Sequence, residues 1–319
     1  MADSNGIVLR YAQETDFGVP PTGQYKTARV TSVSVDPEFM TAQSEEILPT
    51  LRERQSVRTT ERAMLSIGIE LSAETLRDWW AAMLLSAWLP DTPSAGRERV
   101  IDGNTPYSQT MAVLFTDVDL ALWVNGAIAS GLSLQIGREG VVSGTFDVMG
   151  LSIDGGPTPP GTGPHLARTI TRPMQGMRDL EVLEEGGAGI RYVESLSIQL
   201  QRELEPKYEL GTSVPFEIRR GTLSVTGEIQ SHLRSLALFD KAKDFVDSEL
   251  RAMFRDAAGN TVELDFPRIE YSNFSVQVGG RDADVFGTAP WRAVAADDVT
   301  PVIRVTEWNE PIPTPTPTP

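Results

Sequence analysis

Apolar residues recur along this chain at two spacings, and the succession of the two spacings occurs twice. In residues 28–35, Val33 and Val35 alternate with Ser32 and Ser34, the period of a half-buried strand. Residues 36–62 are polar with scattered apolar positions, too long for an ordinary connection, and predict an interaction loop or an extended hairpin that needs a partner surface. Alternation returns in 64–71 through Leu65, Ile67, Ile69 and Leu71. Leu76, Trp79, Trp80, Met83, Leu84 and Trp88 then recur at helical spacing, predicting an amphipathic helix within 73–88 laid on a sheet, with Leu76, Trp80 and Leu84 packing. Ser72 is a candidate cap without the Glu or Gln three residues on that completes a capping box, and Pro90 stops the helix. Strands follow at 111–115, 129–136 and 141–149. Leu132, Leu134 and Ile136 alternate in one, Val142, Phe146 and Val148 in the next, around a Gly137-Arg138-Glu139-Gly140 turn.

After a Gly/Pro-rich break at 155–164 the order returns. Leu196, Ile198 and Leu200 stand for the first strand, 203–220 for the long polar stretch, and Leu223, Val225, Gly227 and Ile229 for the next strand. A helix is predicted over 233–246 with Leu236 and Phe239 packing. Val262, Leu264 and Phe266 mark a strand, and 269–278 with 284–294 supply a last pair carrying Ile269, Tyr271 and Val285. The reading is mainly β, in two tandem lobes: an N-terminal arm with a first domain over 1–154, a linker or crossover over 155–191 with a strand near 167–171, a second domain over 192–310, and an exposed Pro/Thr tail over 311–319. The repeat lies in element order rather than in identity, so duplication and a coincidence of common β patterns both account for it.

Composition narrows the function classes. With 319 residues, 40% of them hydrophobic, the chain is long enough to bury two cores. A formal charge of -16 repels nucleic-acid phosphates unless the few bases gather on one face. No cysteine is present, which removes disulfides and thiolate chemistry. No apolar run is long enough to span a bilayer, and the chain reads as soluble and without a membrane partner.

Candidate chemistry is sparse. His165 sits in the linker and His232 follows Ser231 at a helix start, neither in a metal-binding arrangement. Asp117 with Asp119, and Asp297 with Asp298, lack the oxygen spacing of a calcium loop. Glu45-Glu46 and Glu184-Glu185 are pairs that forty-four acids produce by chance, and Gly279-Gly280-Arg281 reads as a turn. No catalytic, cofactor or metal site is expected. Trp79 and Trp80 are adjacent, so one is assigned to the core and one to a domain or subunit contact, with a carbohydrate platform as the competing use.

Several stretches carry a resemblance: Gly6-Ile7-Val8-Leu9-Arg10-Tyr11-Ala12-Gln13-Glu14-Thr15-Asp16-Phe17-Gly18; Val141-Val142-Ser143-Gly144-Thr145-Phe146 with Met149-Gly150; Tyr192-Val193-Glu194-Ser195-Leu196-Ser197-Ile198; Leu223-Ser224-Val225-Thr226-Gly227; Asp256-Ala257-Ala258-Gly259-Asn260; and Leu264-Asp265-Phe266-Pro267-Arg268. In that order they resemble major tail tube proteins of long-tailed, non-contractile bacteriophages. The resemblance implies a β-sandwich or barrel-like core with a flanking helix in each lobe. Rings of subunits stack into the virion's genome conduit, as trimers with pseudo-six-fold symmetry where two domains are fused, or otherwise as hexamers. It implies no cofactor. The implied partners are copies of the chain, a tape-measure protein, terminator and distal tail proteins, and passing double-stranded DNA, with assembly in the host cytoplasm. On this reading the hairpins at 129–149 and 269–294 line the ring, with Leu132, Leu134, Ile136, Val142, Phe146, Ile269, Tyr271 and Val285. The arms reaching the next ring carry Ile7, Leu9, Tyr11, Phe17, Glu45, Glu46 and Glu209. A carbohydrate-binding tail decoration or adhesion module is the alternative.

Overall fold

Each alternating run forms a strand, and the strands extend well past the alternation that marks them. The structure, a computed structural model, describes residues 6–46, 55–91, 96–281 and 284–309; the Pro/Thr tail at 311–319 lies outside the described residues. Ser32–Ala42 and Val57–Glu70 pair antiparallel, so the described flanks of the polar stretch, 36–46 and 55–62, are the two sides of an extended hairpin. Its outer residues satisfy one another's backbone groups while their side chains stay in water. Val193–Lys207 and Glu217–His232 build a second such hairpin around 203–220.

Four strands from each half form one open antiparallel sheet. In the first half the hydrogen-bonded order is Ser32–Ala42, Val57–Glu70, Ser143–Gly150, Leu120–Gly137. In the second it is Val193–Lys207, Glu217–His232, Val285–Ala293, Asn260–Tyr271. Residues 131–137 pair with 195–201 and join the two sets, so four strands and four strands make a continuous sheet of eight. Ser275–Val278 prolongs the last position along Val285–Ala293.

The fourth strand of each set also enters a second layer. Leu120–Gly137 turns at Gly126, whose φ of 63° and crowding by Leu151 and Phe17 favour glycine. Its N-terminal part pairs with Gln109–Phe115 and Ile153–Gly156, with Ile7–Gln13 beyond. Asn260–Tyr271 pairs likewise with Ser248–Arg255 and Arg304–Asn309, with Leu180–Glu185 beyond. The pairing order is the same in both halves. A barrel closed within the chain is absent among the described strands.

The register explains the core. Val33, Ile67, Phe146, Leu132, Leu200, Val225, Ala293 and Ile269 stand directly opposite one another, one from each of the eight strands. All belong to or pack on a single hydrophobic cluster running through both halves. Each fully buried Leu, Ile or Phe in such a row contributes about 1.5–3 kcal/mol.

The helices are shorter than their patterns. Arg77–Leu84 and Ala237–Asp244 each end on a left-handed residue, Leu85 and Phe245, both at φ 51°. Trp79 and Trp80 are both buried, which corrects the division of the pair between core and contact. Trp79 packs on Phe146 and Tyr11 from the sheet side. Residues 85–91 and 96–108 cover the helix elsewhere: Trp88 donates to the Arg77 carbonyl, and Gly103 N–H to the Leu84 carbonyl. Leu236 and Phe239 are 55% and 39% exposed, Phe239 meeting Phe274 edge-on, while Leu238 and Ala242 pack on the core. Only 245–247 link that helix to Ser248–Arg255, so no segment like the one after the first helix follows it.

Two further expectations are corrected. The N-terminal arm is not free. Ile7–Gln13 is hydrogen-bonded along Gln109–Phe115, Leu9 and Tyr11 are buried, and Phe17 packs on Ile128 and Met149. No strand forms over 167–171. The crossover instead carries the short helix Gly176–Asp179 and the strand Leu180–Glu185, which pairs into the second half.

Candidate assembly surfaces

Strand alternation gives the eight-stranded sheet a second face whose composition is opposite to the first. Ser32, Gly68, Thr145, Ser133, Gln199, Thr226, Arg292 and Glu270 form a row in register, displaced one residue from the apolar row. Neighbouring rows add Asp36, Glu70, Asp147 and Glu228. Arg292 is ion-paired to Glu270 at 2.6 Å, and Ser66 donates to Asp147 at 2.6 Å. Hydroxyls and amides dominate this face, with more acids than bases.

The apolar residues named for the ring hairpins lie on the other side. Leu132, Leu134, Ile136, Val142, Phe146, Ile269 and Tyr271 are buried and Val285 is half-buried, so these side chains hold the hairpins onto the core. Their alternates Ser133, Gln135, Thr145 and Glu270 face outward. The sequence signal for the outward set was the polar half of the same alternation.

The sheet ends in two unpaired edges. Ser32–Ala42 bonds only to Val57–Glu70, and 271–278 only to Val285–Ala293, among the described residues. Exposed apolar side chains lie at both margins: Phe39 and Met40 on one, Val276 and Val278 on the other, with Leu236, Phe239, Phe245 and Val246 on and beside the adjoining helix. Exposed edges and apolar patches of this kind mark surfaces that other chains cover.

The hairpin tips differ from one another. Glu45 and Glu46 are exposed, and 47–54 lie outside the described residues. Glu209 is exposed in the second tip, whose neighbours fold back on the first hairpin: Glu61 N–H donates to the Ser213 carbonyl at 2.9 Å, and the Tyr208 hydroxyl to the Glu61 carbonyl at 3.4 Å.

The two halves are also tied by polar groups that sequence reasoning did not single out. Arg202, buried in the second half, donates to the Met83 carbonyl at the end of the first helix and to the Gly221 carbonyl; desolvation lowers its pKa. Arg97–Ile101 of the first half pairs with Arg304–Asn309 of the second. There Glu307 is buried with Arg77 at 4.0 Å, and burial pushes its pKa up to about 7. Glu14 accepts from Gly18 N–H, Gly126 N–H and the Thr110 hydroxyl at 2.7–2.9 Å, fixing the N-terminal segment on the bend of Leu120–Gly137.

The Ser248 hydroxyl donates to Glu185, which also holds Lys241, a grouping that ties the second helix to Leu180–Glu185. His165 accepts from Tyr25 N–H, while His232 stands 3.7 Å from Glu194 and 3.9 Å from Asp284. Among the described residues no three His, Asp or Glu side chains are grouped to hold a metal ion. Three of the six tryptophans, Trp79, Trp80 and Trp291, are buried and the other three half-buried. The family model for phage tail tube proteins matches residues 4–293. The chain belongs to the phage tail tube protein family. A comparison with curated proteins finds no match. This tail tube subunit is a structural protein of the virion tail, and no helix among its described residues is long and apolar enough to cross a membrane.

Proposed function

We propose that three copies close head to tail into a ring, each supplying two tandem tube domains over 1–154 and 192–310 joined by 155–191. The observation that carries the proposal is the eight-stranded sheet with equivalent halves and one unpaired edge at each end. Three copies of eight strands make a cylinder of twenty-four. At ~4.8 Å between strands its mean diameter is about 37 Å. Six such chains would need forty-eight strands and about twice that width, so the internal repeat favours three.

The second layer and helices cover the apolar face, which leaves the polar face to line the bore. Its hydroxyls, amides and carboxylates offer DNA phosphates few cations, so counterion release rewards little binding and duplex DNA slides. Rings stack through the hairpin arms, with Glu45, Glu46 and Glu209 at their tips. A tape-measure protein occupies the bore before DNA does, terminator and distal tail proteins cap the ends, and assembly takes place in the host cytoplasm. Averaged electron micrographs of tubes test the stoichiometry: three chains around a six-lobed opening are expected, and six chains per disk would reject the fused-domain ring.

A further inference from the structure

The first helix is covered and the second is not. Leu76, Trp79 and Leu85 are at most 2% exposed, whereas Leu236, Phe239 and Phe245, which hold the same places on the second helix, are 55%, 39% and 85% exposed. The first helix is covered by residues 85–91 and 96–108, by the crossover through Thr171 and Met174 bonded to the Ala73 and Leu71 carbonyls, and by Arg202 of the second half bonded to Met83. The second helix has no such cover among the described residues.

The junction inside the chain fixes what an equivalent cover would be. Ile198, Gly227, Trp291 and Tyr271 form the row that corresponds to Val33, Ile67, Phe146 and Leu132. Leu132 lies opposite Leu200, and Leu200, paired with Val225 as Val35 is with Leu65, is the counterpart of Val35. Arg202, two residues beyond Leu200, corresponds to Pro37, beside the exposed Phe39 and Met40.

We propose that residues 32–36 of a second copy pair antiparallel with residues 270–274, Val35 opposite Tyr271, and that its Phe39, further along the same strand, covers the helix end at Phe245 and Val246. This rests on the head-to-tail ring and assigns its seam. The same register puts Ser34 of one copy opposite Ser272 of the next, both on the polar face and both exposed. Directly opposed Cα atoms are about 4.5–5.5 Å apart, within disulfide reach.

The chain contains no cysteine, so paired substitutions report the register without background. Ser34→Cys with Ser272→Cys in assembled tubes is expected to give covalent dimers and trimers on oxidation. Ser34→Cys with Val278→Cys, displaced by about 20 Å, is expected to give none. Tubes that form but cross-link only in the displaced pair, or in neither, overturn the seam and leave the ring standing; a chain that forms no ring under any assembly condition overturns the ring reading itself. Phe245→Asp tests the helix seat separately. The side chain is exposed, so the monomer's thermal midpoint should not move, while the concentration needed for assembly rises about tenfold or more. Wild-type assembly by Phe245→Asp would remove the helix from the interface.

Discussion

At the residue scale the two halves solve one packing problem with different side chains. Ile67 lies beside Phe146 in the first half; Gly227 lies beside Trp291 at the same crossing in the second, and a β-carbon on Gly227 would strike the indole and the Ser197 carbonyl. Gly227→Ile is therefore expected to cost about 3 kcal/mol in urea unfolding, and adding Trp291→Phe to return at least ~1 kcal/mol of it. No return would deny that the two crossings are equivalent. Glu307 gives a pH prediction. Its folded pKa, about 7, stands above the ordinary glutamate value of 4.5, so the unfolded chain loses its proton first as pH rises. The resulting penalty is absent below about pH 4.5, grows to pH 7 and is then complete, on the order of 3 kcal/mol. Glu307→Gln should raise the thermal midpoint at pH 8 and leave it unchanged at pH 4.5; an equal gain at both pH values would assign the effect to something other than ionisation.

At the element scale the long polar stretches were legible as anomalies, and the sheet gives the reason: extended hairpins satisfy their own backbone while leaving edges for others. The second helix was legible in position but not in orientation, because its spacing pattern marks an apolar side without saying whether chain remains to cover it. Coupling between halves runs through Arg202 and the Arg97–Ile101 pairing, neither visible as a pattern. Arg202→Ala leaves the Met83 and Gly221 carbonyls without this donor in a buried place and is expected to cost about 2–3 kcal/mol. Because one core cluster spans both halves, wild-type and variant should each unfold in a single transition by fluorescence and circular dichroism alike. Two separated transitions in the wild type would show that the halves are energetically independent.

At the scale of the whole molecule, function as a conduit depends on a face that binds nothing strongly. Thr226, Gln199 and Ser133 occupy the middle of the polar row and carry no charge. Changing Gln199 and Thr226 to Lys would set two cations per chain around the bore. Tubes of that variant are expected to retain duplex DNA at low salt and release it as salt rises, while wild-type tubes retain none. Equal retention by both would place this face away from the bore.

The alternation of Val33, Val35, Leu65, Ile67, Leu132 and Leu134, with its recurrence at Leu196, Ile198 and Leu200, determined a mainly β fold, because a period of two commits each strand to one buried face. The sequence by itself also set its two histidines apart, His165 in the linker and His232 at a helix start, and carried the motifs of the tail tube family. Only the tertiary structure decided which face was which, that Leu9 and Tyr11 belong to a core rather than an arm, and that Leu236 and Phe245 remain uncovered. Those outcomes depend on pairings between separate strands, Leu9 with Val113 and Leu132 with Leu200 among them, and the local period of a strand or helix contains no information about its distant neighbour.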